Sequence, residues 1–391
     1  MTPIEITFWF SVAILFYCYV GYGIFLVAWN AIKRLFHPHN PPGDFELVPV
    51  TLVVAAYNEE STLNEKIKNT LEIDYPADLL QVIFITDGST DGSSELVGQY
   101  PFITLLHQSH REGKSAAIKR AMRFVRTPVV IFSDANSMLN NGCIKAMIRH
   151  YADPRVGGVA GEKRISSNGH NSVIGDAEGL YWTYESFMKQ QDSMFNTVVG
   201  AAGELFSIRT ELFQMQEDNL ILDDFIISMQ VCLDGYKIQY EPRAYSMEHP
   251  SASLLEEEKR KIRIGAGAFQ ATEYLKQGLH FFKYPQLSFQ YFSRRLLRWI
   301  ACPILIVVVF LANIWLVVHQ PGVIFNTVLL AQVVFYFLAF MGRVFIAAGA
   351  RIGILNVPFY FLFMNVCLVK GFVQYIQGSQ SVLWEKSVRE A

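Results

Sequence analysis

Charge is the scarcest resource in this sequence. Asp, Glu, Lys and Arg make up 17% of its 391 residues, against roughly 25% in soluble domains. That deficit excludes a disordered chain and a coiled coil, and it points to membrane segments joined to a soluble part. An excess of either sign is also missing: 33 basic and 35 acidic residues leave a formal charge of -2. Nothing in that balance calls for a nucleic-acid partner. Paired cysteines are lacking as well. Cys18, Cys143, Cys232, Cys302 and Cys367 are five in number and lie far apart with no C-x-x-C. The pattern excludes a disulfide framework and a zinc site. No G-x-G-x-x-G follows the first strand-like run, so a dinucleotide fold of the usual kind is excluded. Gly113-Lys114-Ser115 resembles the end of a P-loop, but Gln108 stands where its first glycine belongs.

What is abundant is apolar sequence, concentrated at the two ends. Ile6 to Ile32 holds no acidic or basic residue, and a bilayer-spanning helix needs about 20 apolar residues. It lacks a basic leading segment and outruns a signal-peptide core, so it reads as a retained anchor. From Trp299 to Gly342 no side chain carries a fixed charge, and His319-Gln320-Pro321-Gly322 divides the run into two helices near 299–318 and 323–342. A third run, Ile352 to Leu383, is broken by Lys370 and holds Pro358, a kink site. Lys370 also leaves open a re-entrant or interfacial segment there. Lys33, Arg34, Arg294, Arg295 and Arg298 flank the central zone, and Arg343 and Arg351 flank the loop before the last run. The other side offers Glu5 and His319, so the positive-inside rule places the central zone in the cytoplasm. The expected division is an N-terminal anchor over 1–35, a cytoplasmic catalytic domain over 45–275, an interfacial amphipathic helix over 276–298 and transmembrane segments over 299–384.

The first half of the central zone alternates strand and helix patterns. Val50–Ala56, Gln81–Thr86, Ile103–Leu106 and Val129–Phe132 read as strands. Ser61–Leu71, a stretch from Ser93 and Gly113–Val125 read as helices, so the fold class is α/β with a mostly parallel sheet. Ligands of such sheets bind beyond the carboxyl ends of the strands. Polar clusters follow three of those ends: Tyr57-Asn58-Glu59-Glu60, Asp87-Gly88-Ser89-Thr90-Asp91-Gly92 and Asp134-Ala135-Asn136. Each alone can close a turn or cap a helix. Together they place carboxylates on one edge, where like charges repel unless a cation lies between them. Lys114, at the start of a helix, can reach a phosphate there. Asp223-Asp224 opens the apolar run Phe225 to Leu233, where capping and catalysis both suit a carboxylate. Arg260 and Arg263 are three apart and share a helix face. The basic stretch around them also suits a membrane surface. Tyr181 to Phe195 and Phe281 to Trp299 mix aromatics with Lys and Arg, as amphipathic helices on a membrane face do.

The succession Ala-Tyr-Asn-Glu-Glu, Asp-Gly-Ser-Thr-Asp-Gly, Arg-Glu-Gly-Lys-Ser and Asp-Ala-Asn resembles the nucleotide-binding half of family 2 glycosyltransferases. The likeness runs on through Gly200-Ala-Ala-Gly203, Leu222-Asp-Asp-Phe225 and Arg260-Lys-Ile-Arg-Ile264, so it covers about Val50 to Gly267. The flanking helices resemble its membrane-integrated branch, which includes synthases of hyaluronan, cellulose and poly-N-acetylglucosamine. The resemblance implies an inverting enzyme with an A-type, Rossmann-like glycosyltransferase domain. It implies a UDP-sugar donor, a glycan or lipid-linked acceptor, contact with membrane lipid, and residence in a bacterial-type inner or plasma membrane. Tyr57, Glu59, Asp87, Lys114, Asp134, Arg260 and Arg263 are the implied nucleotide-sugar contacts. Asp134 with Asn136 would hold Mg2+ or Mn2+, although the family pattern there is D-x-D. Asp224 is the implied base, with Gly203 and Asp223 toward the acceptor. Processive members carry Q-x-x-R-W where this chain has Arg260 and Ile264. The loss of that tryptophan weakens the case for a long-chain polymerase. Three C-terminal hydrophobic segments are few for a pore, so a polymerase would need a homo-oligomer or a partner. A processive synthase with coupled translocation, transfer onto a polyprenyl phosphate, and a non-catalytic scaffold with a decayed transferase fold remain the alternatives.

Overall fold

The apolar runs of the sequence become the helices and strands that its periodicities predict, and in doing so they set a cleft against the membrane-type helices. The computed structural model describes residues 1–36, 45–166, 173–214, 217–348, 353–381 and 383. Arg351, Ile352 and residue 384 lie outside them. Helix α1 (Pro3–Phe16) continues through a π-helical turn at Tyr17–Gly21 into α2 (Tyr22–Phe36). Then β1 (Val50–Ala56), α3 (Glu60–Leu71), β2 (Leu80–Asp87), α4 (Ser93–Val97), β3 (Ile103–Gln108), α5 (Lys114–Met122) and β4 (Val129–Asp134) alternate. The second half holds β5 (Met138–Leu139), α6 (Cys143–Ile148), β6 (Val156–Ile165), α7 (Val173–Phe195), β7 (Phe206–Arg209), α8 (Asp223–Leu233), β8 (Lys237–Glu248) and α9 (Leu254–Tyr274). Helix α10 (Pro285–Tyr291) runs through π-helical Phe292–Ala301 into α11 (Cys302–His319), and α12 (Val323–Ala347) and α13 (Gly353–Ile376) follow.

The described strands form one sheet in the order β3-β2-β1-β4-β7-β6-β8-β5. Its first four strands are parallel, β7 runs against both β4 and β6, and β5 runs against β8. The parallel strands are buried on both faces, which is why they read as unbroken apolar runs rather than alternating ones. Val53, Ile83 and Phe132 face one core layer, with α5 and α8. Leu52, Phe84 and Ile131 face the other, with α3 and α6. Register aligns the strand ends: Ala56 pairs with Thr86, and Ala55 with Asp134. The clusters that follow β1, β2 and β4 therefore share one edge.

Four helices, Pro3–Phe36, Pro285–His319, Val323–Ile346 and Leu355–Gln377, are long and apolar enough to cross a membrane. Pro321 and Gly322 supply the tight turn between the second and third. The segment 276–298 departs from the expectation of a separate interfacial helix. Lys276–Leu279 is a 3-10 turn, and from Pro285 the helix runs unbroken into the span. Its arginines cause no break because partners from α7 meet them: Arg294 lies 2.8 Å from Glu185 and 3.1 Å from Asp192. Lys370 does not interrupt α13 either, since it reaches across to pair with Glu258 of α9.

Candidate active site

The strand ends and α8 enclose a cleft of about 660 Å3, lined by Tyr57, Glu59, Lys114, Asp134, Asn136, Gly203, Asp223, Asp224, Arg260 and Arg263 among others. Ten of the eleven residues singled out in the sequence thus meet in one cavity, drawn from β1, β4, α5, α8, α9 and the loop before β7. Asp87 is the exception, fully buried behind the lining. Its carboxylate accepts the amides of Glu112 at 3.1 Å and Gly113 at 2.7 Å. Arg120 stands 3.8 Å away. Burial pushes its carboxyl above the usual range against the pull of those amides. By holding the turn at Gly113, which has φ 104, Asp87 sets where α5 begins and where Lys114 points.

At the centre of the cleft three charged groups converge on one glycine. A Cβ placed on Gly203 would lie 3.1 Å from Lys114 Nζ, 3.4 Å from Asp224 Oδ2 and 3.6 Å from Asp134 Oδ2. Any side chain there would fill the space between them. Lys114 Nζ donates to Asp134 Oδ1 at 2.5 Å. Burial pulls the ammonium down, but Asp134, Asp223 and Asp224 outweigh it and hold Lys114 well above its usual range. Asp134 is itself raised, by burial against the pull of Lys114. Asp224 is pushed up to about 7, by burial first and the neighbouring Asp223 carboxylate second. A carboxyl that titrates near neutrality in a cleft suits proton transfer.

The first strand end is bound to the second. Thr90 donates its amide to Asn58 Oδ1 at 2.8 Å, and Glu60 and Asp91 exchange contacts with the opposite backbone at 3.1 Å. Those loop carboxylates serve turn closure. Tyr57 instead presents its ring to Arg111, whose guanidinium lies 3.6 Å from the ring centre. Gly88, with φ 67, admits Arg111 so closely that a Cβ there would sit 2.6 Å from the Arg111 Cβ. On α9 two arginines line the cleft. Arg260 lines the cleft but is paired with Glu178 at 2.5 Å and Glu257 at 2.8 Å. Two carboxylates therefore already balance the charge expected to serve a diphosphate. Arg263 lines the cleft one turn further on.

Several residues of the site were not legible as candidates. Glu204 and Glu248 line the cleft, bridged from behind by buried Lys163 at 2.5 Å and 2.6 Å. Glu204 directly follows Gly203, which is a signal of position; Glu248 ends β8, a strand outside the four that the sequence predicts. Arg111 opens the Arg-Glu-Gly-Lys-Ser stretch, which by itself predicts no role for it. No group of three His, Cys, Asp or Glu placed to hold a metal ion exists among the described residues. The protein offers Asp134 and the Asn136 amide two residues on. That donor set suits a hard ion that takes its remaining oxygens from a bound phosphate.

Residues 51–215 match the family model described as glycosyl transferase family 2. The poly-beta-1,6-N-acetyl-D-glucosamine synthase of Staphylococcus aureus (strain COL) is 28% identical over 213 residues, covering 51% of this chain and 49% of the relative. That of Staphylococcus epidermidis is 24% identical over 206 residues, covering 50% and 48%. The chain thus spans about half the length of the curated relatives it matches. A mannosyltransferase from Pyrobaculum calidifontis, solved in complex with GDP-Man and Mn2+, superposes with a TM-score of 0.71 at 20% identity, over 96% of this chain and 99% of that one. The fold is that of an A-type glycosyltransferase with flanking apolar helices.

Proposed function

We propose, starting from a chain whose residues 51–215 form a glycosyl transferase family 2 domain, that the protein is a membrane-bound inverting glycosyltransferase. It moves a sugar from a UDP-sugar to a glycan or lipid-linked acceptor. The observation that carries this reading is the convergence of Lys114, Asp134 and Asp224 on Gly203 within one cleft. The nucleoside would lie against Tyr57 and Glu59, at the end of β1. The diphosphate would lie toward Lys114 and Arg263, whose charges stabilise a leaving group that gains negative charge. A divalent ion held by Asp134 and Asn136 would add positive charge at the same oxygens. Mn2+ in the complex of the Pyrobaculum mannosyltransferase supports that assignment, and Mg2+ suits the same oxygens.

Asp224 acts as the base. It takes the proton from the acceptor hydroxyl as that oxygen bonds to the anomeric carbon, and the electrons of the breaking carbon–oxygen bond leave with UDP. Attack opposite the leaving group inverts the centre through an oxocarbenium-like state. The division into an anchor over 1–35, a catalytic domain over 45–275 and spans beyond it belongs to this reading, with 276–298 as the entry to the second span. Basic residues at 33, 34, 294, 295 and 298 support a cytoplasmic catalytic domain. The names of the Staphylococcus relatives favour a second reading, a processive synthase of an N-acetylhexosamine polymer.

A panel of nucleotide sugars tests the proposal on purified protein. We expect UDP release from one UDP-sugar, dependent on a divalent ion; no release from any donor, with no UDP binding by calorimetry, would leave a scaffold. Product length by mass spectrometry separates single transfer from polymerisation.

A further inference from the structure

Beside the cleft lies a second cavity of about 470 Å3, and Asp224, Glu204, Arg260, Leu222 and Ile264 border both. One wall belongs to the catalytic domain, through α7, α8 and α9. The other is made by membrane-type helices, with Tyr19, Trp299, Tyr360 and Asn365. Most of the lining is apolar or aromatic, yet five cations reach it: Lys189, Arg260, Lys261, Arg295 and Arg298.

Their counter-charges are unequal to them. Lys261 is 3.5 Å from Glu257, and Glu204 is held by Lys163. Around Glu185 the balance fails. This one carboxylate lies 2.8 Å from Arg294, 2.8 Å from Arg298 and 3.8 Å from Arg295. Among the described residues Arg294, at 3.1 Å, is the one cation paired with Asp192, and Arg295 donates to the Val199 carbonyl at 2.9 and 3.1 Å. Lys189, one turn beyond Glu185, is 4% exposed. Among the described residues no carboxylate comes within ion-pair distance of it, and the Trp182 ring centre lies 5.7 Å from its ammonium. Burial holds Lys189 below its usual range despite the more distant Glu204 and Glu185. In this cluster the four cations Lys189, Arg294, Arg295 and Arg298 thus face two carboxylates, Glu185 and Asp192, in a place where burial makes uncompensated charge costly. Buried charge of that kind persists where a ligand supplies the missing anion.

We propose that this cavity seats a lipid with a phosphate-bearing headgroup, the phosphate against Lys189, Arg295 and Arg298 and the chain leaving between the membrane-type helices. The lipid is the acceptor or its carrier, with the reacting hydroxyl directed to Asp224; that part rests on the transferase reading above. Phosphate answers the surplus positive charge, and hydrocarbon answers the aromatic lining that continues into the spans. A neutral glycan would satisfy the aromatic wall but leave the cations uncompensated.

Native mass spectrometry of the full chain in neutral detergent, titrated with dioleoyl phosphatidate, dioleoylglycerol and inorganic phosphate, tests the assignment. One phosphatidate should bind at least tenfold more tightly than dioleoylglycerol. Lys189→Met should lose about tenfold for phosphatidate with no change for dioleoylglycerol, and Lys189→Arg should restore binding. Equal affinity of wild-type protein for the two lipids overturns the proposal without recourse to any variant. So does a Lys189→Met protein that binds phosphatidate like wild type, and so does inorganic phosphate that binds as tightly as phosphatidate. UDP release by wild-type protein is read separately. Release without phosphatidate preference removes the lipid site alone, whereas phosphatidate preference without release supports the site and removes the transferase reading.

Discussion

In the proposed reaction Asp224 carries the chemistry and Asp223 tunes it. Asp224→Asn should lower turnover by roughly 10²–10⁴-fold, the range lost with a general base, while calorimetry still finds UDP bound. Because the base works deprotonated and titrates at about 7, the rate should rise with pH through neutrality and level off above it. Asp223→Asn removes the second-largest cause of that raised value, so the rising limb should move to lower pH; an unmoved limb would count against Asp224 as the titrating group. The sign for stability is opposite. Asp224 holds its proton more tightly folded than unfolded, so its contribution falls as pH rises from roughly 4 to about 7. Thermal denaturation of Asp224→Asn should accordingly show a gain over wild type at pH 8 and little at pH 4.

Elements position these residues through buried ion pairs and close helix contacts. Lys163 on β6 neutralises Glu204 and Glu248 from beneath the cleft. Lys163→Met would strand two carboxylates and should cost about 3–5 kcal/mol, readable by denaturant unfolding; the added change Glu248→Gln should recover part of that loss. Helix α9, which carries Arg260 and Arg263, is pressed onto α13 at glycines. A Cβ on Gly371 would lie 2.7 Å from Ala266 N and 2.7 Å from Ile262 O, both backbone atoms that cannot yield. Gly371→Val should push the two helices apart. We expect a raised KM for the donor as Arg263 is displaced, with UDP release retained at saturation; an unchanged KM would show that the seam does not position Arg263.

At the scale of the whole molecule the catalytic cleft is built against the spans rather than tethered to them. Arg294 and Arg298 of the second span bond to α7, and Tyr22 of the first donates to Asp192 at 2.6 Å. All five native cysteines are buried, so a single exposed cysteine reports sidedness. Glu95→Cys in intact cells should resist a membrane-impermeant maleimide and react in inside-out vesicles. Labelling of intact cells would reverse the proposed orientation.

Local signals determined the spans, the parallel strands and the clusters that end them. An apolar run without charge has one solution in lipid, and a strand buried on both faces has one composition. Asp134, Asp224 and Lys114, which meet in one cleft, were legible because a carboxylate at a strand end or helix start and an ammonium at a helix start stand out by residue type and position. Tertiary structure alone decided what lies opposite what. It withdrew Asp87 from the cleft to hold a turn, balanced Arg260 with Glu178 from a helix 82 positions away, and gathered Arg294, Arg295 and Arg298 around one carboxylate. Such pairings join residues that are distant along the chain, and no period or motif encodes the distance between them once the chain is folded.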